Sequence, residues 1–182
     1  MDYSSVADLL TDSSRANVDL ATEFVGNDEN RFEETLQLAV NSGYPLNMRA
    51  ARVLEFSALK NPQFALKRID FIIKTSITNS NDGVKRAFMK ITERFLPNKI
   101  DEDLLGLVIN NCFDKLNGIE TVSVKYYSIN CLIKILKREP DLKHELLESL
   151  YYQIGRNTTA FDRYMKKKIK EIEKLSHVNN KA

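Results

Sequence analysis

Glycine and proline are scarce, six and four in 182 residues. A fold of many tight turns needs more of both, so the shortage weighs against an all-β architecture and favours long, uninterrupted helices. Charge of one sign is not in excess. With a net charge of +2 and 43% apolar residues, the chain lacks the low-hydrophobicity, high-charge signature of disorder. Long apolar runs are also missing: they stop after about five residues, against the roughly 20 needed to span a bilayer. The opening stretch MDYSSVADLLTDSS has acids where a secretory leader has bases, and no sustained apolar segment. A soluble, cytoplasmic protein with no membrane association is expected.

The residues of common catalytic and metal sites are thin as well. Histidine occurs twice, as His144 and His177, and neither stands at ligand spacing from another His, Cys or carboxylate, whereas zinc needs three or four converging ligands. His144 reads as an exposed helix position. Cys112 and Cys131 lie among apolar neighbours in helical patterns, which suits buried, reduced thiols rather than a disulfide. There is no glycine-rich phosphate loop, no nucleotide-binding fingerprint and no nucleophile elbow. The expectation is therefore no catalytic residue, no metal and no cofactor.

What the chain does contain is a period. Leu46, Val84, Val124 and Phe161 recur at steps of roughly 40 residues. Four residues on stand Ala50, Phe88, Ser128 and Met165; eight on, Leu54, Thr92, Leu132 and Ile169; eleven on, Ser57, Phe95, Ile135 and Ile172. These offsets trace one stripe of a 3.6-residue helix, apolar or small in every copy. Turn-forming stretches NSGYP, NSNDG and NGIET precede the first three copies, and Asp82 reads as an N-cap. Pro62, Pro97 and Pro140 follow them, where a ring without an N–H blocks continuation of a helix. A partner helix fits each gap, over 28–42, 62–79, 100–117 and 139–156, with a weaker pair over 2–12 and 13–25. The sum is about ten helices in about five antiparallel pairs.

The stretch VKYYSINCL, with an apolar residue, a base, two variable positions and then small-apolar-x-small-Leu, resembles the second-helix signature of HEAT repeats. LNMRAARVL shares the frame, with Asn47 where the family usually has a base, and VKRAFMKIT shares it with Phe88 and Thr92 as departures. The Asp that HEAT repeats often place in the turn before the second helix is replaced near that offset by Gly43, Asn79 and Ile119. The resemblance covers about residues 28–175 and is to a short, self-contained, bacterial-style member. It implies an all-α, right-handed α-α superhelix, a single α-solenoid domain over 1–176 with a disordered tail at 177–182, and a protein whose work is binding.

Charge is divided between the two helix sets. The first helices of the pairs sum to a net negative charge and the second helices to a net positive one. In a HEAT-like solenoid the second helices line the concave surface, so the resemblance implies a basic inner wall. Away from the core stripe, that wall carries Arg52, Phe56, Arg86, Lys90, Arg94, Tyr126, Lys134, Arg163 and Lys167. Bases interleaved with aromatics suit a polyanion, either an acidic protein segment or nucleic acid. A monomeric, non-enzymatic scaffold is the expected function. The runner-up is a nucleic-acid binder related to the HEAT-like alkylpurine DNA glycosylases, which pair a basic concave face with aromatic residues and an acid. This chain has no tryptophan, and the acids early on its second helices are Asp19 and Asp162. A lyase of the adenylosuccinate type fits less well, because that family's methionine-proline-lysine loop is absent.

Overall fold

Four of the helices open on short polar side chains that satisfy their first free amides. Ser14 Oγ accepts from Asn17 N at 3.2 Å to open the first helix, Asp28 Oδ1 accepts from Asn30 N and Arg31 N to open the second, and Thr158 Oγ1 accepts from Phe161 N to open the last. The computed structural model describes residues 3–97 and 100–175, and among them are ten α-helices, one 3-10 turn and no strand. In order the helices are α1 (Arg15–Val25), α2 (Glu29–Asn41), α3 (Leu46–Lys60), α4 (Pro62–Lys67), α5 (Ile69–Thr78), α6 (Asp82–Phe95), α7 (Glu102–Asn117), α8 (Val122–Ile135), α9 (Leu142–Gln153) and α10 (Thr159–Glu173).

The stripe read from the period is the buried one. All of its positions are buried except Leu46 and Phe95, which are half-buried. Three local expectations differ. The helix expected over 2–12 is a 3-10 turn at Ala7–Leu9, because Asp8 Oδ2 accepts from Ser4 N, Ser4 Oγ and Ser5 N and so ties the chain into a tight local loop. The helix expected over 62–79 is broken at Arg68 into α4 and α5. That break coincides with two anchors onto α2, Lys67–Glu29 at 2.7 Å and Arg68–Glu33 at 2.8 Å. The N-cap of α6 is Asn81, whose Oδ1 accepts from Gly83 N and Val84 N, while Asp82 is the first helical residue and pairs with Lys85 at 2.9 Å. His177 and the tail expected at 177–182 lie outside the described residues.

The chain divides into two compact units, residues 1–101 and 102–182. In the first, α3 packs against α1, α2, α4 and α6, and α6 packs against α3, α4 and α5. The second helices α1, α3 and α6 thus form one row. Phe32 of α2 and Phe64 of α4 meet at 5.6 Å on the other side. A helix surrounded on several sides cannot keep a wide polar face. Accordingly α3 buries Ala50, Ala51, Val53, Leu54 and Ala58 completely, and each fully buried Leu or Val contributes about 1.5–3 kcal/mol. Gly83 lets α6 approach, since a Cβ there would overlap Met48 Cγ on α3.

In the second unit α7 packs against α8 and α9, and α9 against α10. The interior is built from Val108, Cys112 and Leu116 of α7, Val124, Ile129, Cys131 and Leu132 of α8, Leu146 and Leu150 of α9, and Met165 and Ile172 of α10. Cys112 and Cys131 are buried thiols, not a disulfide. Lys143 Nζ donates to Leu175 O at 2.7 Å and Glu173 O at 3.3 Å, placing a cation on the carbonyls that end α10 and opposing the negative end of its dipole.

Candidate functional site

In the first unit the exposed edge of the α1–α3–α6 row is held together largely by its own charges. Arg15 Nε donates to both carboxylate oxygens of Asp19 at 2.8 Å, and its guanidinium lies 4.4 Å over the Phe56 ring. The Arg15 hydrogen bond holds the Asp19 carboxyl below the usual carboxylate range. Arg52 Nη1 donates to Ser13 O at 3.0 Å, and Arg49 Nη1 to Leu10 O and Thr11 O. Lys60 pairs with Glu23 at 2.8 Å, and Lys90 pairs with the buried Glu55.

These links fall at repeat-length separations: 35 residues for Glu55 and Lys90, 37 for Glu23 and Lys60, 39 for Ser13 and Arg52. Of the positions expected on a binding wall, Arg52, Phe56 and Lys90 are therefore engaged within the unit. Arg86 is half-buried and Arg94 exposed, and neither is ion-paired among the described residues.

The second unit is different in character. Tyr126 of α8 is 38% exposed, is nearly perpendicular to the Tyr127 ring with centroids 5.1 Å apart, and lies 4.7 Å from the tilted ring of Tyr164 on α10. Tyr164 in turn stacks on Phe161 at 5.7 Å and donates its hydroxyl to Asn130 Oδ1 at 2.7 Å. Lys168 Nζ stands 5.8 Å from the Tyr164 ring and pairs with Glu171 at 2.8 Å. Around this aromatic ridge Lys134, Arg163 and Lys167 are exposed.

Next to Tyr126 in sequence, Lys125 is 6% exposed and donates to Gln153 Oε1 at 2.8 Å. Desolvation pulls its pKa below the ordinary lysine value, with the charge of Glu120 opposing the shift.

Tyr164, Tyr127 and Asn130 were not among the residues expected from sequence, although Tyr164 falls one turn after Phe161, on the flank rather than the back of the core stripe. Glu55 was missed as a partner because its link to Lys90 is visible only when neighbouring repeats are laid side by side, whereas the Arg15–Asp19 pair is an i,i+4 spacing within α1 that the sequence could have shown. His144 is exposed on α9, with Nδ1 3.7 Å from Glu148. Among the described residues no group of His, Cys, Asp or Glu is placed to hold a metal ion, and no helix is long and apolar enough to cross a membrane. Asp162 Oδ2 accepts from Gly155 N at 3.0 Å, securing the turn into α10.

Helix pairs packed in succession, with side-chain links one repeat apart, define an all-α repeat protein. A family model described as HEAT repeat domain matches residues 6–171. The chain belongs to the HEAT repeat family, whose repeats serve as interaction and scaffold modules. Comparison with curated proteins and with solved structures gave no match.

Proposed function

We propose that this chain is a non-enzymatic binding module that receives an acidic partner on the second-helix surface, chiefly on α8 and α10. The observation that carries this reading is the Tyr126–Tyr164 ridge bordered by exposed Lys134, Arg163 and Lys167. Exposed ion pairs contribute at most about 1 kcal/mol each, so affinity comes from several acting together on a preformed surface, with the rings adding buried contact. Taken by itself, the first unit offers bases of the same kind in Arg86 and Arg94. Arg52, Phe56 and Lys90 support that surface from within and contribute less to a partner.

The test is a titration of the whole chain with fluorescent oligo-glutamate and oligonucleotides at two salt concentrations. At least one polyanion binds at low salt and weakens as salt rises, and Arg163→Glu/Lys167→Glu lowers the affinity at least tenfold. Absence of binding to every polyanion at low salt overturns the reading. Excision of a methylated purine would replace it with the glycosylase alternative.

A further inference from the structure

We infer that the polyanion taken by the α8–α10 surface is single-stranded nucleic acid, held by stacking of unpaired bases on Tyr126 and by a strip of cations along α10. This rests on the proposed function and narrows it to one class of partner.

Two observations separate a nucleic-acid strand from an acidic protein segment. The first is the spacing of the bases. Arg163, Lys167, Lys170 and Lys174 are all exposed and follow one another at i, i+4, i+7 and i+11, directly opposite the buried stripe of Phe161, Met165, Ile169 and Ile172. With a rise of about 1.5 Å per residue the strip places a cation every 5–6 Å or so along one line, a continuous track for a regularly charged backbone. None of the four is ion-paired among the described residues, whereas Lys168, on the flank beside Tyr164, is matched by Glu171.

The second is the kind of apolar surface next to the strip. Among the described residues the only exposed large apolar side chain on α8 or α10 is Tyr126. An amphipathic peptide needs a groove that accepts aliphatic anchors. A single, partly exposed ring, held by Tyr127 and Tyr164 at 5.1 and 4.7 Å, instead suits a partner with a π-face. Every nucleobase has one, and only an unpaired base is free to present it. The duplex satisfies the cations but not the ring.

The experiment uses the full chain with fluorescein-labelled oligothymidylate, the same oligonucleotide hybridised to oligoadenylate, and labelled oligo-glutamate. Oligothymidylate binds about tenfold more tightly than its duplex at equal salt. Tyr126→Ala removes most of that preference by weakening oligothymidylate more than its duplex or oligo-glutamate, Tyr126→Phe retains it, and Arg163→Glu/Lys167→Glu weakens every polyanion. A readout that needs no variant is tyrosine emission, because the chain has seven tyrosines and no tryptophan: oligothymidylate quenches it and oligo-glutamate does not. Equal affinity for single strand and duplex, or binding without quenching and without sensitivity to Tyr126→Ala, overturns the inference. Binding of oligo-glutamate with no binding of oligothymidylate also overturns it while leaving the proposed function standing. No binding of any of the three removes both.

Discussion

Glu55 of α3 and Lys90 of α6 are ion-paired across the contact between neighbouring second helices, with the carboxylate buried and the ammonium partly exposed. Breaking a buried pair leaves one charge without its partner, which costs more than the pair itself contributes. Because Glu55 is the deeper of the two, Lys90→Met should destabilise the first unit by about 2 kcal/mol or more, and Glu55→Gln by less. Combining them removes both charges and recovers most of the loss, giving a coupling energy above about 1 kcal/mol. Urea denaturation of the four proteins measures it; additive losses would show that the two side chains do not act together.

The same pair marks where sequence reading stops. A 3.6-residue period needs no knowledge of neighbours, so the columns through Leu54, Phe88, Leu132 and Met165 were legible and all are buried. Local chemistry outside the period was not: Asp8 tying Ser4 and Ser5 into a turn, or the break at Arg68, depends on which hydrogen bond wins locally. Surface charge was legible only as a sum. Lys90 and Arg52 look like available bases until the repeat length itself is used to ask what stands one copy earlier. That question finds Glu55 and the residues around Ser13. In the second unit the same step finds Tyr164 beside Asn130, 34 residues apart.

Gly26 ends α1 at φ 50° and ψ −131°, a backbone shape that costs a residue with a Cβ about 1–2 kcal/mol. An alanine there would also set its Cβ 3.2 Å from Glu23 O. The carbonyl of Gly26 accepts from Asn61 Nδ2 at 2.6 Å, one repeat later, and Asn61 is buried. Gly26→Ala and Asn61→Ala should each lower stability by about 1–2 kcal/mol. Gly43→Ala, which has nothing within 4 Å and no positive φ, should change it by less than about 0.5 kcal/mol. Thermal denaturation of the three variants ranks them, and an unaffected Gly26→Ala would refute the backbone argument.

Gly83 and Met48 set how closely α6 approaches α3. A Cβ at position 83 would overlap Met48 Cγ and stand 3.0 Å from Sδ, so Gly83→Ala forces the methionine into another rotamer at about 1 kcal/mol. Met48→Ala vacates that space. The double variant should therefore be no less stable than Met48→Ala alone, a comparison that denaturant titration makes directly; a further loss on adding Gly83→Ala would mean the conflict lies elsewhere.

Lys125 gives the second unit a pH signature. Burial lowers its pKa in the folded chain below the value of 10.5 for an exposed lysine, desolvation outweighing the favourable charge of Glu120. Between those two values the unfolded chain holds the proton and the folded chain has released it, so the unfolded state binds more protons and stability rises with pH. Below the folded pKa the ammonium is charged in both states and the desolvation cost is fully present. Lys125→Met removes that cost but leaves Gln153 Oε1 with only Asn157 Nδ2, at 3.2 Å, as donor. At pH 7 the variant should match the unmodified chain to within about 1 kcal/mol. As pH climbs towards 10, the unmodified chain should gain stability relative to the variant. Denaturant midpoints for both proteins across that range decide it: parallel curves would mean that Lys125 keeps the pKa of a solvated lysine, and a relative loss on raising the pH would mean that its charge stabilises the fold.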